Sequence, residues 1–453
     1  MKINIHFGLA ALALSLAATA LADEANWPQF RGPGSRGLPA GNARPPAEWS
    51  AARNIAWQTE VAGLGWSSPV VWAGKIFITS VARVAGDEPA QMGLYLGKSR
   101  GEGDHRFLVM CFESASGRLL WEREVHRGVP ARAIHLKNSF ASATAVTDGQ
   151  RVVALFHDLG LFAFDLDGKP LWRLPVKATK TRSDFGHGGS PVLHAGRVYL
   201  VDDNDDESYA AAYDASTGKE VWRLPRDRET NYTTPLVWTE PEPAQLIVPA
   251  TKRTIAYDLD GKEIWSFTGG LSKLTIATPF TAHGLLYVSS GYFQDPVRGL
   301  FVIKPGARGD ITLRDGATSN AAIAWSDLKI APYNPTPLVF GQELYILYDQ
   351  GLLSCYDALT GRAHYEKIRL TPPAGGLAGG FTASPWAHDG KIFCLSERAE
   401  TFVVKAGPQF ALLGCNSLDP EPCLATPALV GDALILRTAS RLYSIRQAQV
   451  PAR

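Results

Sequence analysis

The chain is poor in net charge, in cysteine and in long apolar runs, and each shortage excludes a class of protein. A net charge of +1 over 453 residues, with charged residues at 20%, leaves no broad basic surface for nucleic acid and no acidic tail. After residue 22 no segment approaches the roughly 18–20 apolar residues that span a bilayer. No phosphate-binding loop occurs. His126, His135, His157, His187 and His194 include no close-spaced pair of the zinc-ligand kind. The five cysteines include no adjacent pair, and their odd number leaves at least one unpaired. Cys111, Cys355 and Cys394 fall in strand-like runs and read as small buried thiols. Cys415 and Cys423 flank the loop from Asn416 to Pro422, where a disulfide and two free thiols both fit the spacing. Linkers are missing too, although a chain this long would ordinarily hold about three domains.

What is present is a repeat. Ser190-Pro191-Val192-Leu193, Gly196 to Val201, Tyr209 to Tyr213 and Glu220-Val221-Trp222 are apolar runs of strand length, rich in β-branched and aromatic residues and separated by Gly, Pro, Asp or Ser. Four such strands make one propeller blade. The Ser/Thr-Pro landmark recurs at Pro69, Pro191, Pro235, Pro279, Pro337, Pro385 and Pro427, with Ala143 after Ser142 taken as its equivalent, which gives eight units. Pro191, Pro235 and Pro279 are 44 residues apart, the spacing of a four-stranded blade. Longer intervals require insertions, and Gly86 to Asp104 and Pro305 to Asn320 supply polar, Gly-rich ones.

The expected organisation is a signal peptide over residues 1–22, an irregular arm over 23–53 and one propeller domain over 54–447. Lys2, the apolar run from Phe7 to Ala20, and Ala20-Leu21-Ala22 have the form of a cleavable secretory leader. No Cys lies near that point, which argues against lipid anchoring, so the location expected is the periplasm or the exterior. The Gly/Pro-rich arm reads as laid on the surface, so that its loss would be mild. Ile55 to Val61 resembles the end of a repeat whose beginning is missing, and the last repeat, ending at Ile445, lacks its final strand. The N-terminal strand is therefore expected to close the ring.

Trp121, Trp172, Trp222, Trp265 and Trp325 end successive units, with Trp57 serving the last and Tyr365 the sixth, as structural wedges between blades. The Asp-to-Gly turns that start at Asp165, Asp214, Asp258 and Asp357 read as turn chemistry. The acidic run Asp202 to Glu207 lacks calcium-loop spacing and reads as a solvated hairpin.

The phrase from Tyr213 to Trp222, Tyr-Asp-Ala-Ser-Thr-Gly-Lys-Glu-Val-Trp, resembles the repeat of the pyrroloquinoline quinone (PQQ)-like β-propellers, which include quinoprotein alcohol dehydrogenases and the outer-membrane assembly lipoprotein BamB. The opening Trp27-Pro28-Gln29-Phe30-Arg31-Gly32-Pro33 is similar to the start of secreted bacterial proteins with these repeats. The resemblance covers nearly all of the chain after the leader and implies fold more than function. Quinoprotein enzymes of this kind would imply an adjacent Cys-Cys disulfide, Glu/Asn/Asp ligands to calcium and an Asp base. This chain offers no recognisable set of these.

The expectation is thus an all-β, eight-bladed propeller of four-stranded antiparallel blades. Loops leading into the innermost strands converge on the channel mouth. Residues three or four positions before each landmark are Trp66, Phe140, His187, Tyr232, Tyr333 and Phe381, with Ile276 and Leu424 in the other units. Beside them lie His135, Lys137, Asn138, Lys273 and Asn334. Aromatic walls with a few placed polar groups suit a small molecule, a glycan or an envelope protein; the other reading is that the aromatics plug the channel as core. The function expected is a monomeric, non-catalytic binding or protein-interaction module without cofactor or metal and without nucleic acid. The alternatives are a PQQ-dependent dehydrogenase and an assembly scaffold resembling BamB.

Overall fold

A computed structural model describes residues 26–447, apart from 42–43, 87–88, 94–98, 228, 241 and 374. The expected leader lies outside the described residues. Eight four-stranded antiparallel sheets follow one another around a channel, and the fourth carries a fifth short strand, Gly309–Asp310, added in parallel. Blade 3 shows the unit: Val192–His194 innermost, then Arg197–Asp202, Tyr209–Asp214 and Glu220–Pro225 outermost. No helix among the described residues is long and apolar enough to cross a membrane.

The terminal Trp of each repeat has a specific seat. Trp172 lies at the end of blade 2, its indole N–H donates to the Ala215 carbonyl of blade 3 at 2.9 Å, and its ring covers Gly218 of that blade's turn. Trp57, Trp121, Trp222 and Trp325 repeat this on the turns holding Gly117, Gly168, Gly261 and Gly361. The turn and the wedge are one device: Asp214 accepts from the Ser216 and Thr217 amides, shaping the turn so that Gly218, at φ +70°, lies flat beneath the ring. Trp265 departs from it and donates to Gln245, because blade 5 has the second insertion in place of the short turn. In blade 7, Gly414 occupies the Trp position. It faces blade 8, where the corresponding turn is replaced by the meeting of the two ends of the ring, so there is nothing to dock on.

Gly218→Ala is expected to cost about 2–4 kcal/mol, combining left-handed strain with a Cβ at 2.7 Å from the Trp172 ring. Gly196→Ala, at φ +73° with no atom within 4 Å of its new Cβ, should cost only the strain of about 1–2 kcal/mol. Urea unfolding of the pair measures the difference, and equal losses would remove the docking role.

The ring closes as the sequence implies. Ile55–Glu60 pairs antiparallel with Arg441–Arg446 and completes blade 8. Arg437, fully buried, reaches from blade 8 to Ser67 Oγ at 2.7 Å and the Thr79 carbonyl at 2.8 Å in blade 1.

The arm corrects its expectation. It is irregular, but it does not lie on the surface: it crosses the base of the channel. Trp27 is fully buried and exchanges backbone hydrogen bonds with Val71 of blade 1. The Pro28 carbonyl accepts from Thr147 of blade 2, and Gly37 accepts from Ala387 of blade 7. Arg31, also fully buried, donates to the carbonyls of Thr336 at 3.1 Å and Pro337 at 3.0 Å in blade 6 and of Ser35 within the arm at 3.0 Å. No sequence period announces this, because the surface that buries the arm is assembled from blades far apart in the chain.

The acidic loop is solvated only in its second half, where Asp205 and Glu207 are exposed. Asp202, Asp203 and Asn204 are buried. Asp203 holds Arg226 through both oxygens, Asp205 accepts from Thr230, and Asp206 accepts from the Lys180 amide. The five cysteines are free, so Cys415 and Cys423 are unbridged, and the Cys423 thiol faces the Arg437 carbonyl.

Candidate functional site

The channel narrows to a cavity of about 430 Å³. Two residues of each leading loop face it, because an extended chain alternates its side chains. The residue just before the landmark contributes a hydroxyl: Ser68, Thr144, Ser190, Thr234, Thr278, Thr336, Ser384 and Thr426. These hydroxyls link blades as well. Thr144 Oγ1 accepts from the Ser68 amide, Ser190 Oγ from Thr144 and Thr234 Oγ1 from Ser190, at 2.9, 2.9 and 3.0 Å. Thr336, Ser384 and Thr426 continue the pattern at 3.0 Å. Two positions further out stand Trp66, Ser142, Gly188, Tyr232, Ile276, Asn334, Thr382 and Leu424. Phe30 of the arm closes the floor.

Of the residues expected at the mouth, Trp66, His135, Lys137, Asn138, His187, Tyr232, Tyr333 and Asn334 line this cavity. Phe140, Phe381 and Lys273 do not. The hydroxyl ring identifies Thr144-Ala145, not Ser142-Ala143, as the landmark of blade 2, so Ser142 takes the facing position. Phe140 instead packs against His105 and Phe107. Phe381 lies four residues before its landmark, as His187 and Tyr333 do, but is buried against Phe402 while its neighbour Thr382 faces the cavity. Lys273 points to solvent, with its amide on Asp295 at 2.6 Å. Sequence reasoning missed Phe30, Phe185 and the pair Tyr292-Phe293. Tyr292 and Phe293 pack on Tyr333 at 5.2 and 6.0 Å, from the loop that follows the second strand of blade 5. That loop opens on the same face as the leading loops, and an aromatic pair between Gly291 and Pro296 was the available signal.

Lys137 is the one charged residue among the described lining residues, and it is neutralised: its Nζ lies 2.5 Å from Glu397, a buried carboxylate of blade 7. Thr382 and the Gly93 amide, from the first insertion, also donate to Glu397 at 2.7 and 2.9 Å. Burial raises the phenols of Tyr232 and Tyr333, so both stay protonated at neutral pH.

Behind His187 the fold brings together what the linear spacing did not indicate. The His157 and His187 rings stack at 4.3 Å, and His187 Nδ1 lies 3.5 Å from Asp202 Oδ1. Burial pushes His157 down to about 4 and His187 well below the usual imidazole range, and pushes Asp202 up to about 7.

The chain is an eight-bladed β-propeller of PQQ-like repeats, crossed at its base by the arm and holding a near-neutral cavity of aromatic rings and hydroxyls. The chain belongs to the family described as outer membrane protein assembly factor BamB, which it matches over residues 49–204 and 182–406. BamB of Yersinia pestis is 28% identical over 206 residues, 41% of this chain, and the match spans about half (49%) of that relative. Among solved structures, BamB from Moraxella catarrhalis superposes with a TM-score of 0.51 at 13% identity, over 88% of this chain and 100% of that one. Quinohemoprotein alcohol dehydrogenase from Comamonas testosteroni gives 0.58 at 10% identity, over 97% and 83%. A europium-containing methanol dehydrogenase gives 0.56 at 11%, over 94% and 92%. At these identities the structural likeness speaks for the fold.

The quinone of such dehydrogenases does not fit the residues present. A flat polyanion with a divalent ion needs cationic donors and carboxylate ligands around it. Here the lining lysine is already paired, and no carboxylate is among the described lining residues.

Proposed function

We propose that this chain is a non-catalytic propeller of the bacterial envelope that binds an uncharged, ring-bearing ligand in its central cavity. The observation that supports it is the lining itself: Trp66, Tyr232, Tyr292 and Tyr333 around a belt of hydroxyls, with the single lysine compensated. Such a wall stacks on a sugar face, an aromatic side chain or a small planar molecule and holds it with neutral hydrogen bonds. An envelope location is supported by the BamB family and by the leader-like N-terminus. The ligand is a free small molecule, a glycan unit or a projecting segment of an envelope protein. The family match favours the last of these and so supports a second reading, a scaffold for outer-membrane protein assembly.

Titration with N-acetylglucosamine oligomers and with Trp- and Tyr-containing tripeptides, followed by intrinsic fluorescence and calorimetry, tests the site. Tyr232→Ala and Trp66→Ala should weaken binding about tenfold or more, whereas Leu171→Ser on the outer rim should leave it unchanged. Binding indifferent to Tyr232 would remove the cavity from the function. Calcium-dependent PQQ binding with dye-linked alcohol oxidation would replace the reading by the dehydrogenase.

A further inference from the structure

Three groups where blades 2 and 3 meet, the buried Asp202 and the partly buried His157 and His187, are left incompletely partnered by the protein. His157 Nε2 lies 2.8 Å from the Gly189 carbonyl. A carbonyl only accepts, so the ring proton sits on Nε2 and the lone pair on Nδ1, which is buried and has no partner. His187 has Thr179 Oγ1 at 3.4 Å from Nε2, which leaves Nδ1 towards Asp202. Asp202, with its side chain 1% exposed, has an Oδ2 without a hydrogen bond. Asp202 Oδ1 accepts from Asn204 Nδ2 at 3.3 Å, and the 3.5 Å between His187 Nδ1 and that oxygen is too long for a good hydrogen bond. It is close to the separation of two ligand atoms on one tetrahedral ion, since bonds of about 2.0–2.2 Å place such atoms roughly 3.3–3.5 Å apart.

We propose that His157, His187 and Asp202 bind one divalent first-row transition-metal ion in the wall of the central cavity. The possible ligand atoms of the three residues lie within 4.8 Å of one another. Two imidazoles and one carboxylate are a donor set suited to zinc or ferrous iron, with positions left open. The carbonyl of Gly189 and the hydroxyl of Thr179 sit where second-shell groups fix the ligating nitrogen. Buried neutral imidazoles are already in the ligating form. The carboxylates of Asp158 and Asp203 lie close enough to disfavour a further negative charge on Asp202, a field that a dication reverses. The stacked rings, parallel within 5°, have to tilt towards each other to converge on one ion. His187 can supply that movement because it is carried between Gly186 and Gly188-Gly189. His187 also lines the cavity, so ions enter from there and the open positions face a ligand.

The test uses chelator-stripped full-length protein titrated with Zn²⁺ against a chromophoric chelator, and with Co²⁺ for its ligand-field spectrum. One ion per chain and a Co²⁺ spectrum of low coordination number are expected. His157→Ala, His187→Ala and Asp202→Asn should each weaken binding about tenfold or more, while His194→Ala and His283→Ala should not. Asp202→Asn keeps the side-chain volume, and circular dichroism of the stripped variants shows that folding is intact. Failure of wild type to bind one equivalent, or binding unaltered in Asp202→Asn and His157→Ala, overturns the proposal. The oligosaccharide and peptide titrations are repeated on stripped protein, so loss of the metal site and loss of the ligand site are read separately.

Discussion

A chain lacking residues 23–41 is expected to unfold on the order of 10 °C below the intact protein, with the arm's loss removing the floor of the cavity. Trp27 alone, fully buried against blade 1, corresponds to about 3–5 kcal/mol by the usual cost of truncating a core aromatic. Arg31 adds to it: its guanidinium is buried without a carboxylate, and burial pushes it down to about 9, so its charge is held by carbonyls of the arm and of blades 6 and 7. Removing it leaves those carbonyls without a donor at about 1–3 kcal/mol each where water cannot reach. A loss above about 5 kcal/mol at roughly 2–4 °C per kcal/mol gives the stated shift. Calorimetry of the truncated and full chains measures it, and an unchanged midpoint would mean that the arm is not a structural part of the ring. Gly32→Ala should reproduce part of the loss, since a Cβ there would meet the Trp27 ring at 2.6 Å.

The arm marks the limit of what one-dimensional reading can find. Blades are local: each strand pairs with a neighbour a few residues away, so the period of apolar runs and the Ser/Thr-Pro and Asp-x-x-Gly-x-x-x-Trp signals carry them directly. The Trp positions were legible for the same reason, and Gly414 is informative because the wedge is missing only where its docking turn is missing. The cavity was legible as far as a fixed offset from the landmark could take it. It failed at Phe140, where the landmark of blade 2 was misplaced by two residues, and at Phe381, where the offset that places His187 and Tyr333 at the cavity turns the ring into the core against Phe402. Trp27, Phe30 and Arg31 appear in sequence as an aperiodic stretch, and their burial depends on carbonyls from Thr336 and Pro337, some 300 residues away. His157 and His187 are in the same position: each belongs to a different blade, and their proximity follows from the curvature of the ring.

Deleting the chain through Val61 is expected to be more damaging still, abolishing soluble expression. The cut removes the whole outer strand of blade 8, so the Arg441–Arg446 strand becomes an open edge beside blade 1. It also removes Trp57, which donates to the Ser114 carbonyl at 3.0 Å and covers Gly117, and so severs the docking of blade 8 onto blade 1. Losses of this size equal or exceed the roughly 5–15 kcal/mol by which domains are stable, and the exposed edge offers a template for pairing between chains. Loss of closure and mere loss of residues can be separated, because the Arg446 amide donates to the Asn54 carbonyl and so places the two ends side by side. A permuted chain carrying residues 54–61 after residue 447, joined by a short Asp- and Gly-containing turn like those of the other blades, should recover the soluble ring. Size-exclusion chromatography and light scattering of the three chains report the outcome. A soluble, equally stable chain starting at residue 62 would show that the ring does not depend on its N-terminal strand, and an insoluble permuted chain would show that the closed ring also needs the arm that crosses its base.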